Sequence, residues 1–329
     1  MIYAQTNDRL CGVLCPVITP FKAGPAPDHQ RFVRHCKWLL EHGCSGLAVF
    51  GTTSEANSLS LDEKLSLLAS LHESGLPGAA LMPGTGHCDL PTTVRLTAAA
   101  MDMGCAGVLM LPPFYYKNVS DEGLYRYFSE VIERVGDARL RLYLYHIPAV
   151  SQVPIGKNLI RRLLARYPGI VSGIKDSSGD WPNTRMMLDE FTKDSFDVFV
   201  GSEALLLDNM RHGGVGCITA TANVNCGPID QLWRNWQTPQ AAQQQANVTA
   251  MRKLLQDYPM IAALKAVVAH YCNDPQWRSV RPPLIELDYK QSERLIQSLM
   301  AIGYTMSDVL PAEAKITEVA SCLIKRSLR

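Results

Sequence analysis

Eight short runs of apolar and β-branched residues alternate with amphipathic stretches over the first 240 of 329 residues, and this alternation constrains the fold more than any other feature. The runs are "GVLCPVITPF" (12–21), "SGLAVFG" (45–51), "ALMPGTG" (80–86), "GVLMLPP" (107–113), "LRLYLYHIP" (140–148), "IVSGIKDSS" (170–178), "FDVFVGSE" (196–203) and "VGCITATAN" (215–223). Between and after them lie helical patterns such as "HQRFVRHCKWLLEHG", "SLDEKLSLLASLHESG" and "SDEGLYRYFSEVIERVG", several ending in glycine. One begins Ser60-Leu61-Asp62-Glu63, a serine cap followed three residues later by glutamate. Parallel strands need helical crossovers, and closure of eight strand–helix units removes both sheet edges. The pattern predicts a (β/α)8 barrel. An open doubly wound sheet is the competing architecture, but the first strand–helix turn carries no G-x-G-x-x-G, and no acidic residue about 20 positions on is placed to hold a ribose.

Past residue 240 the pattern changes. "AAQQQANVTAMRKLLQDY", "MIAALKAVVAHYC" and "SERLIQSLMAIG" read as roughly three helices. No flexible linker separates them from the barrel, so residues 1–240 are expected to form the catalytic barrel and residues 241–329 a helical subdomain packed on it.

With 32 basic against 31 acidic residues, the chain lacks the electrostatic footprint expected for nucleic acid or an anionic membrane. No signal peptide and no apolar stretch long enough to span a bilayer is evident, which makes the cytoplasm the expected location. The ten cysteines are scattered without a C-x-x-C pair and without histidines at ligand spacing. They read as buried thiols, and no metal site is expected.

In such a barrel the site forms at the C-terminal ends of the strands. Here those ends read "GTTSE" (51–55), "PPFYY" (112–116), "YHIP" (145–148), "KDSSGD" (175–180), "GSE" (201–203) and "TATAN" (219–223). Hydroxyls, phenols and one lysine dominate, without a convergent carboxylate or histidine cluster. That inventory argues against metal-dependent hydrolysis and paired-carboxylate glycosidase chemistry. It suits a carbonyl substrate beside an amine, which condenses with it to a Schiff base. Burial of a lysine disfavours its charged form, so the cost of placing Lys175 at a strand end doubles as a means of activating it. Alternatively, Lys175 points outward or pairs with Asp176. Tyr145 can shuttle a proton if Thr52 and Thr53 connect it to solvent, or can be an aromatic plug. Thr52 and Thr53 also suit turn and cap positions.

Together "GTTSEANSLS", "LYHIPAV" and "GIKDSSGD" resemble the G-T-T-G-E loop, the Y-N-x-P strand end and the G-x-K-D segment of the dihydrodipicolinate synthase / N-acetylneuraminate lyase family of class I aldolases. "PPFYYKNVSDEGLYRYF", "GSEALLLDNMRHGGVGCITATANV" and "LKAVVAHY" add to the resemblance, which runs in order from about residue 10 to residue 300. It implies an imine between Lys175 and pyruvate or a related 2-keto acid. Tyr145 would relay the proton, with Thr52 linking it to Tyr116, usually offered across a dimer interface; Tyr115 is the alternative. Thr53 and the 51–55 backbone would hold the carboxylate, and Gly201 and Ile218 would line the pocket. No metal or organic cofactor is implied, since the lysine is the electron sink. The family is typically a homotetramer, a dimer of dimers.

Departures from the pattern bear on the second substrate. Dihydrodipicolinate-forming members usually carry an arginine two residues beyond the Y-N-x-P proline, and this chain has Val150, which supplies no bidentate charged contact. His146 replaces the asparagine and Ser54 the loop glycine, and both are expected to reshape the second-substrate side. The neuraminate lyase pattern G-I-K-Q-T is also not matched by "GIKDSS". A class I lyase or aldolase acting on pyruvate or another 2-keto acid is the reading that results, including dehydration of a 2-keto sugar acid. A 4-hydroxy-tetrahydrodipicolinate synthase using pyruvate and aspartate semialdehyde is the alternative within the family. A non-catalytic 2-keto-acid-binding protein is the alternative outside it, and "HGGVG" (212–216) keeps a phosphate-binding isomerase or class II aldolase in view. The closing stretch "TEVASCLIKRSLR" extends past the resemblance and carries no assigned function.

Overall fold

The computed structural model describes residues 9–306; the closing stretch lies outside them. Seven strands form one parallel sheet: β1 (Gly12–Cys15), β2 (Gly46–Leu47), β3 (Val108–Met110), β4 (Leu142–His146), β5 (Val171–Asp176), β6 (Asp197–Val200) and β7 (Gly216–Ile218). Their spatial order is β2-β1-β7-β6-β5-β4-β3. The expected strand at 80–86 forms no ladder of its own, since Gly78–Ala80 is a 3-10 turn and Pro83 has no N–H to give. The segment nevertheless fills the gap. Met82 N donates to Leu47 O (2.9 Å) and Gly84 N to Val49 O (2.7 Å), while Leu109 N donates to Pro83 O (2.9 Å) and Thr85 N to Leu109 O (3.0 Å). These bonds join β2 to β3 and close the (β/α)8 barrel.

Helices cover the barrel: α1 (His29–Glu41), α2 (Leu61–Glu73), α3 (Leu90–Asp102), α4 (Asp121–Val135), the short α5 (Pro148–Ser151), α6 (Lys157–Arg166), α7 (Trp181–Phe191), α8 (Leu206–Arg211) and α9 (Ala222–Arg234). The reciprocal cap read at Ser60 and Glu63 forms, with bonds of 3.2 and 2.9 Å. The last predicted strand is shorter than expected, because "TATAN" already turns into α9, which is kinked at Asn225 and contains Pro228.

Strand alternation sorts the side chains. Leu142, Leu144, Ile174, Val198 and Val200 face the helices, whereas Tyr143, Tyr145, Phe199 and Ile218 fill the barrel interior with Leu14, Met82 and Leu109. Tyr143 needs its neighbouring glycines: a Cβ on Gly173 would lie 2.7 Å from its ring. Its hydroxyl donates to Asp197 Oδ2 at 2.8 Å.

Three further helices, α10 (Ala241–Gln256), α11 (Met260–Tyr271) and α12 (Tyr289–Ala301), share a core of Met251, Leu255, Val267, Leu295 and Leu299 with Ile18 and Val224. Ile18 follows β1 and Val224 follows β7, so this layer sits over the C-terminal ends of the strands. No helix among the described residues is long and apolar enough to cross a membrane.

Candidate active site

The C-terminal end of the barrel holds a cavity of about 980 Å³, lined on one side by Thr52, Thr53, Tyr145, Lys175, Gly201 and Ile218. The strand register explains why these meet. Tyr145 and Lys175 are direct partners across β4 and β5, both on the inward face. Lys175 is 4% exposed, and its Nζ sits 4.2 Å from the centroid of the Tyr145 ring. The Tyr145 hydroxyl and Thr52 Oγ1 are 3.2 Å apart. Thr52 and Thr53 open a 3-10 turn that carries the chain over the barrel mouth.

Lys175 does not pair with Asp176. The Asp176 carboxylate instead accepts from Ser178 N (2.9 Å), Asn183 Nδ2 (3.1 Å) and Thr184 Oγ1 (2.6 Å), fixing the turn into α7. Gly201 is a close-approach position: its N–H donates to Asp176 O (2.7 Å), and a Cβ there would fall 2.0 Å from Ser177 Oγ.

His146 and Ser54 depart from expectation. Next to inward-facing Tyr145, His146 points to the other face of the strand, where Nδ1 accepts from Ile155 N at 3.0 Å. Burial lowers the affinity of its ring for a proton, against the pull of Asp176. It does not line the cavity, and its role is to hold the chain after β4. Ser54 is fully buried; its Oγ accepts from Gly51 N at 3.1 Å, and Glu55 rather than Ser54 takes the left-handed conformation at φ 56°. A side chain at 54 is therefore tolerated without touching the cavity. Val150 does line it, 61% exposed. Tyr115 and Tyr116 are each 73% exposed, stack edge to face at 5.3 Å, and line none of the cavity within one chain. The glycines of "HGGVG" lead into β7 and so lie at the opposite end of the barrel from the cavity. Among the described residues no group of three histidine, cysteine or acidic side chains is arranged to hold a metal ion.

Sequence reasoning missed the second wall. Arg252 from α10, Tyr258, Met260 and Ile261 at the α10–α11 turn, and Pro283, Leu284 and Ile285 complete the cavity. Arg252 is anchored on Glu203, which has no exposed surface; Nη1 lies 2.8 Å from Glu203 Oε2 and 3.1 Å from Thr219 Oγ1. The hydroxyls of Thr219 and Thr221 also donate to the Glu203 carboxylate. The hydroxyls of "TATAN" and the acid of "GSE" were visible at strand ends, but nothing marked the arginine that joins them.

An amine buried against a phenol, with the hydroxyls of Thr52 and Thr53 lining the same cavity, suits carbonyl chemistry. The profile of the Dihydrodipicolinate synthetase family matches residues 9–302. An uncharacterized DapA-like lyase of Chloroflexus aurantiacus is 31% identical over 284 residues, 85% of this chain and 93% of that protein. The 4-hydroxy-tetrahydrodipicolinate synthase of Thermus thermophilus is 36% identical over 212 residues, 64% of this chain and 69% of that one. A crystal structure of dihydrodipicolinate synthase from Agrobacterium tumefaciens superposes with a TM-score of 0.83 at 29% identity, covering 90% of this chain and all of the other. The chain belongs to the dihydrodipicolinate synthetase family of class I lyases and aldolases.

Proposed function

We propose that Lys175 forms a Schiff base with the keto carbon of pyruvate or a related 2-keto acid, through which the enzyme makes or breaks a carbon–carbon bond or dehydrates a 2-keto sugar acid. The observation that carries this reading is the juxtaposition of buried Lys175 with Tyr145, itself hydrogen-bonded to Thr52. The neutral amine adds to the carbonyl, water leaves, and the protonated imine accepts the electron pair of the adjacent carbon. In cleavage, the bond from that carbon to the hydroxyl-bearing carbon breaks, the hydroxyl loses its proton and an aldehyde departs. The resulting enamine is protonated, and water returns to release the keto acid. In synthesis, the enamine attacks an aldehyde.

In this reading Tyr145 carries the protons that enter and leave, Thr52 orients its hydroxyl, and Thr53 with the 51–55 backbone holds the 2-keto acid carboxylate. Gly201 and Ile218 form the walls. The lysine takes the place of an organic cofactor. Exposure of Tyr115 and Tyr116 supports cover by a second copy of the chain, in a dimer or a dimer of dimers in the cytoplasm. The named synthase relatives favour a second reading, condensation of pyruvate with aspartate semialdehyde. The apolar Val150 at the mouth weighs against it.

Intact-protein mass spectrometry after incubation with pyruvate and borohydride tests the imine. A reduced pyruvate adduct on the wild type, absent from Lys175→Ala, is the expected result. Absence of an adduct with pyruvate and with larger 2-keto acids would leave the reading of a non-catalytic binding protein.

A further inference from the structure

We infer that Arg252, delivered by α10 from the helical layer, is the specificity-determining cation of this cavity and selects substrates bearing a second carboxylate remote from the imine carbon. The inference rests on the imine reading, because it assigns the first carboxylate and the keto carbon to the Lys175 side of the cavity. Among the described residues lining the cavity, Lys175 and Arg252 carry the basic groups, and Asp176 has its carboxylate engaged by three donors. Once the lysine has become an imine, Arg252 is the remaining side chain able to offer a charged fork to a carboxylate.

Its mounting supports that use. α10 grips the segment after β6 twice, two helical turns apart: Gln245 Nε2 donates to Glu203 O at 2.9 Å, and Arg252 meets the Glu203 carboxylate. Gln245 Oε1 also accepts from Leu207 N at 2.9 Å. The two contacts that anchor Arg252 both use Nη1, whereas a guanidinium has five N–H donors. Because Thr219 and Thr221 already donate to Glu203, the carboxylate does not depend on the arginine alone for hydrogen bonds. An arginine held by one nitrogen on a buried acid loses little conformational freedom when a ligand takes the other donors. The buried Cys217 thiol places the two cations in one electrostatic neighbourhood: burial and then Glu203 push its proton affinity up, while Arg252 and Lys175 both pull it down. Position 150, where the family pattern places an arginine, is valine here, so the charge comes from the opposite wall.

The test compares 2-keto diacids of five to seven carbons with monoacids of equal length, reading the concentration that half-saturates borohydride trapping on the full chain. The wild type is expected to favour at least one diacid over its matched monoacid by about 10- to 100-fold, the range of a charge-assisted hydrogen bond. Arg252→Gln should bring that ratio close to one, and Arg252→Lys should keep part of it. The ratio is insensitive to how much protein is folded, and a double variant, Arg252→Gln with Glu203→Gln, removes the buried acid that the single change leaves short of a partner. A wild type without diacid preference at any length, or a preference that survives loss of Arg252, overturns the inference while leaving the imine standing. Calorimetric titration of the same acids into Lys175→Ala, with and without Arg252→Gln, reads the contact without imine chemistry. Diacid selectivity there that depends on Arg252, together with no trapping on the wild type, would sustain the arginine and overturn the imine.

Discussion

The two walls of the cavity are built by different means. On the barrel side, Lys175 and Tyr145 are register partners on adjacent strands, and their inward direction follows from an alternation with a period of two residues. On the helical side, Arg252, Met260, Ile261, Leu284 and Ile285 come from separate helices and loops, and tertiary tethers set their positions. The principal tether is the ion pair of Glu55 with Lys265 on α11, both side chains fully buried and 2.5 Å apart. Lys265 Nζ also donates to Ser279 O at 2.6 Å, and Arg281 N donates to the other Glu55 oxygen at 2.8 Å. In the proposed reading the chemistry thus stands on the sheet, whereas the wall proposed to select a substrate hangs on a few buried polar contacts. Changes on the first wall should cost rate, and changes on the second should cost stability or selectivity.

The sharpest division should come from Tyr145→Phe. Loss of one hydroxyl inside the cavity removes the proposed proton relay and the contact to Thr52 but keeps the ring against Lys175. Turnover should fall by about 10²- to 10⁴-fold, the usual contribution of a positioned acid–base group. The urea midpoint should move little. A variant that turns over normally would transfer the relay to another group, with the exposed tyrosines at 115 and 116 the first to examine.

Lys265→Met inverts that pattern. Burial draws the Lys265 pKa down to about 8 against the pull of Glu55, so its ammonium still carries the charge at neutral pH. Removing the cation leaves a buried carboxylate without its counter-charge, a change that costs about 3–5 kcal/mol in comparable settings. Adding Glu55→Gln to Lys265→Met should recover part of the loss, since the uncompensated charge goes with it. Urea denaturation of the single and double variants reads both quantities. Equal stability of the two would mean that lost packing rather than the stranded charge dominates.

The same division explains what was legible in the sequence. Strand ends rich in hydroxyls, a tyrosine and a lysine can be found from local pattern, because a barrel dictates where strand ends go and alternation dictates which residues face inward. Local pattern also misled. His146 and Ser54 were expected on the substrate side, yet the first turns outward because it neighbours Tyr145, and the second is folded under its own 3-10 turn. The 80–86 segment had the composition of a strand, but its proline permits only isolated bridges. Arg252 stands 49 residues from its partner Glu203 in the chain, on a helix whose period says only that some face is buried. Contacts of that range depend on how layers dock, which no short window contains.

The joint between the layers supplies the smallest of these effects and a titration to read it by. His35 of α1 is buried against the edge of Trp277, ring centroids 5.2 Å apart, stacks on Trp38 at 5.9 Å, and has Nε2 3.2 Å from Asn223 Oδ1. Because Asn223 Oδ1 is an acceptor that also receives Ile18 N, the ring is assigned as donor through Nε2. Burial lowers its pKa from 6.5 to about 4, against the pull of that hydrogen bond. Between these values the unfolded chain binds a proton that the folded chain refuses. Stability is therefore retained above pH 6.5 and lost as the pH falls toward 4. From pH 6.5 to 5 the loss attributable to this one ring should be about 1.5 kcal/mol. His35→Gln keeps an N–H donor for Asn223 but cannot titrate, so it should flatten the pH dependence of the urea midpoint over that interval while lowering stability at pH 7 by about 1 kcal/mol. An unchanged slope would assign the acid sensitivity to groups outside this joint, and the layers would then be held together there by packing that pH does not reach.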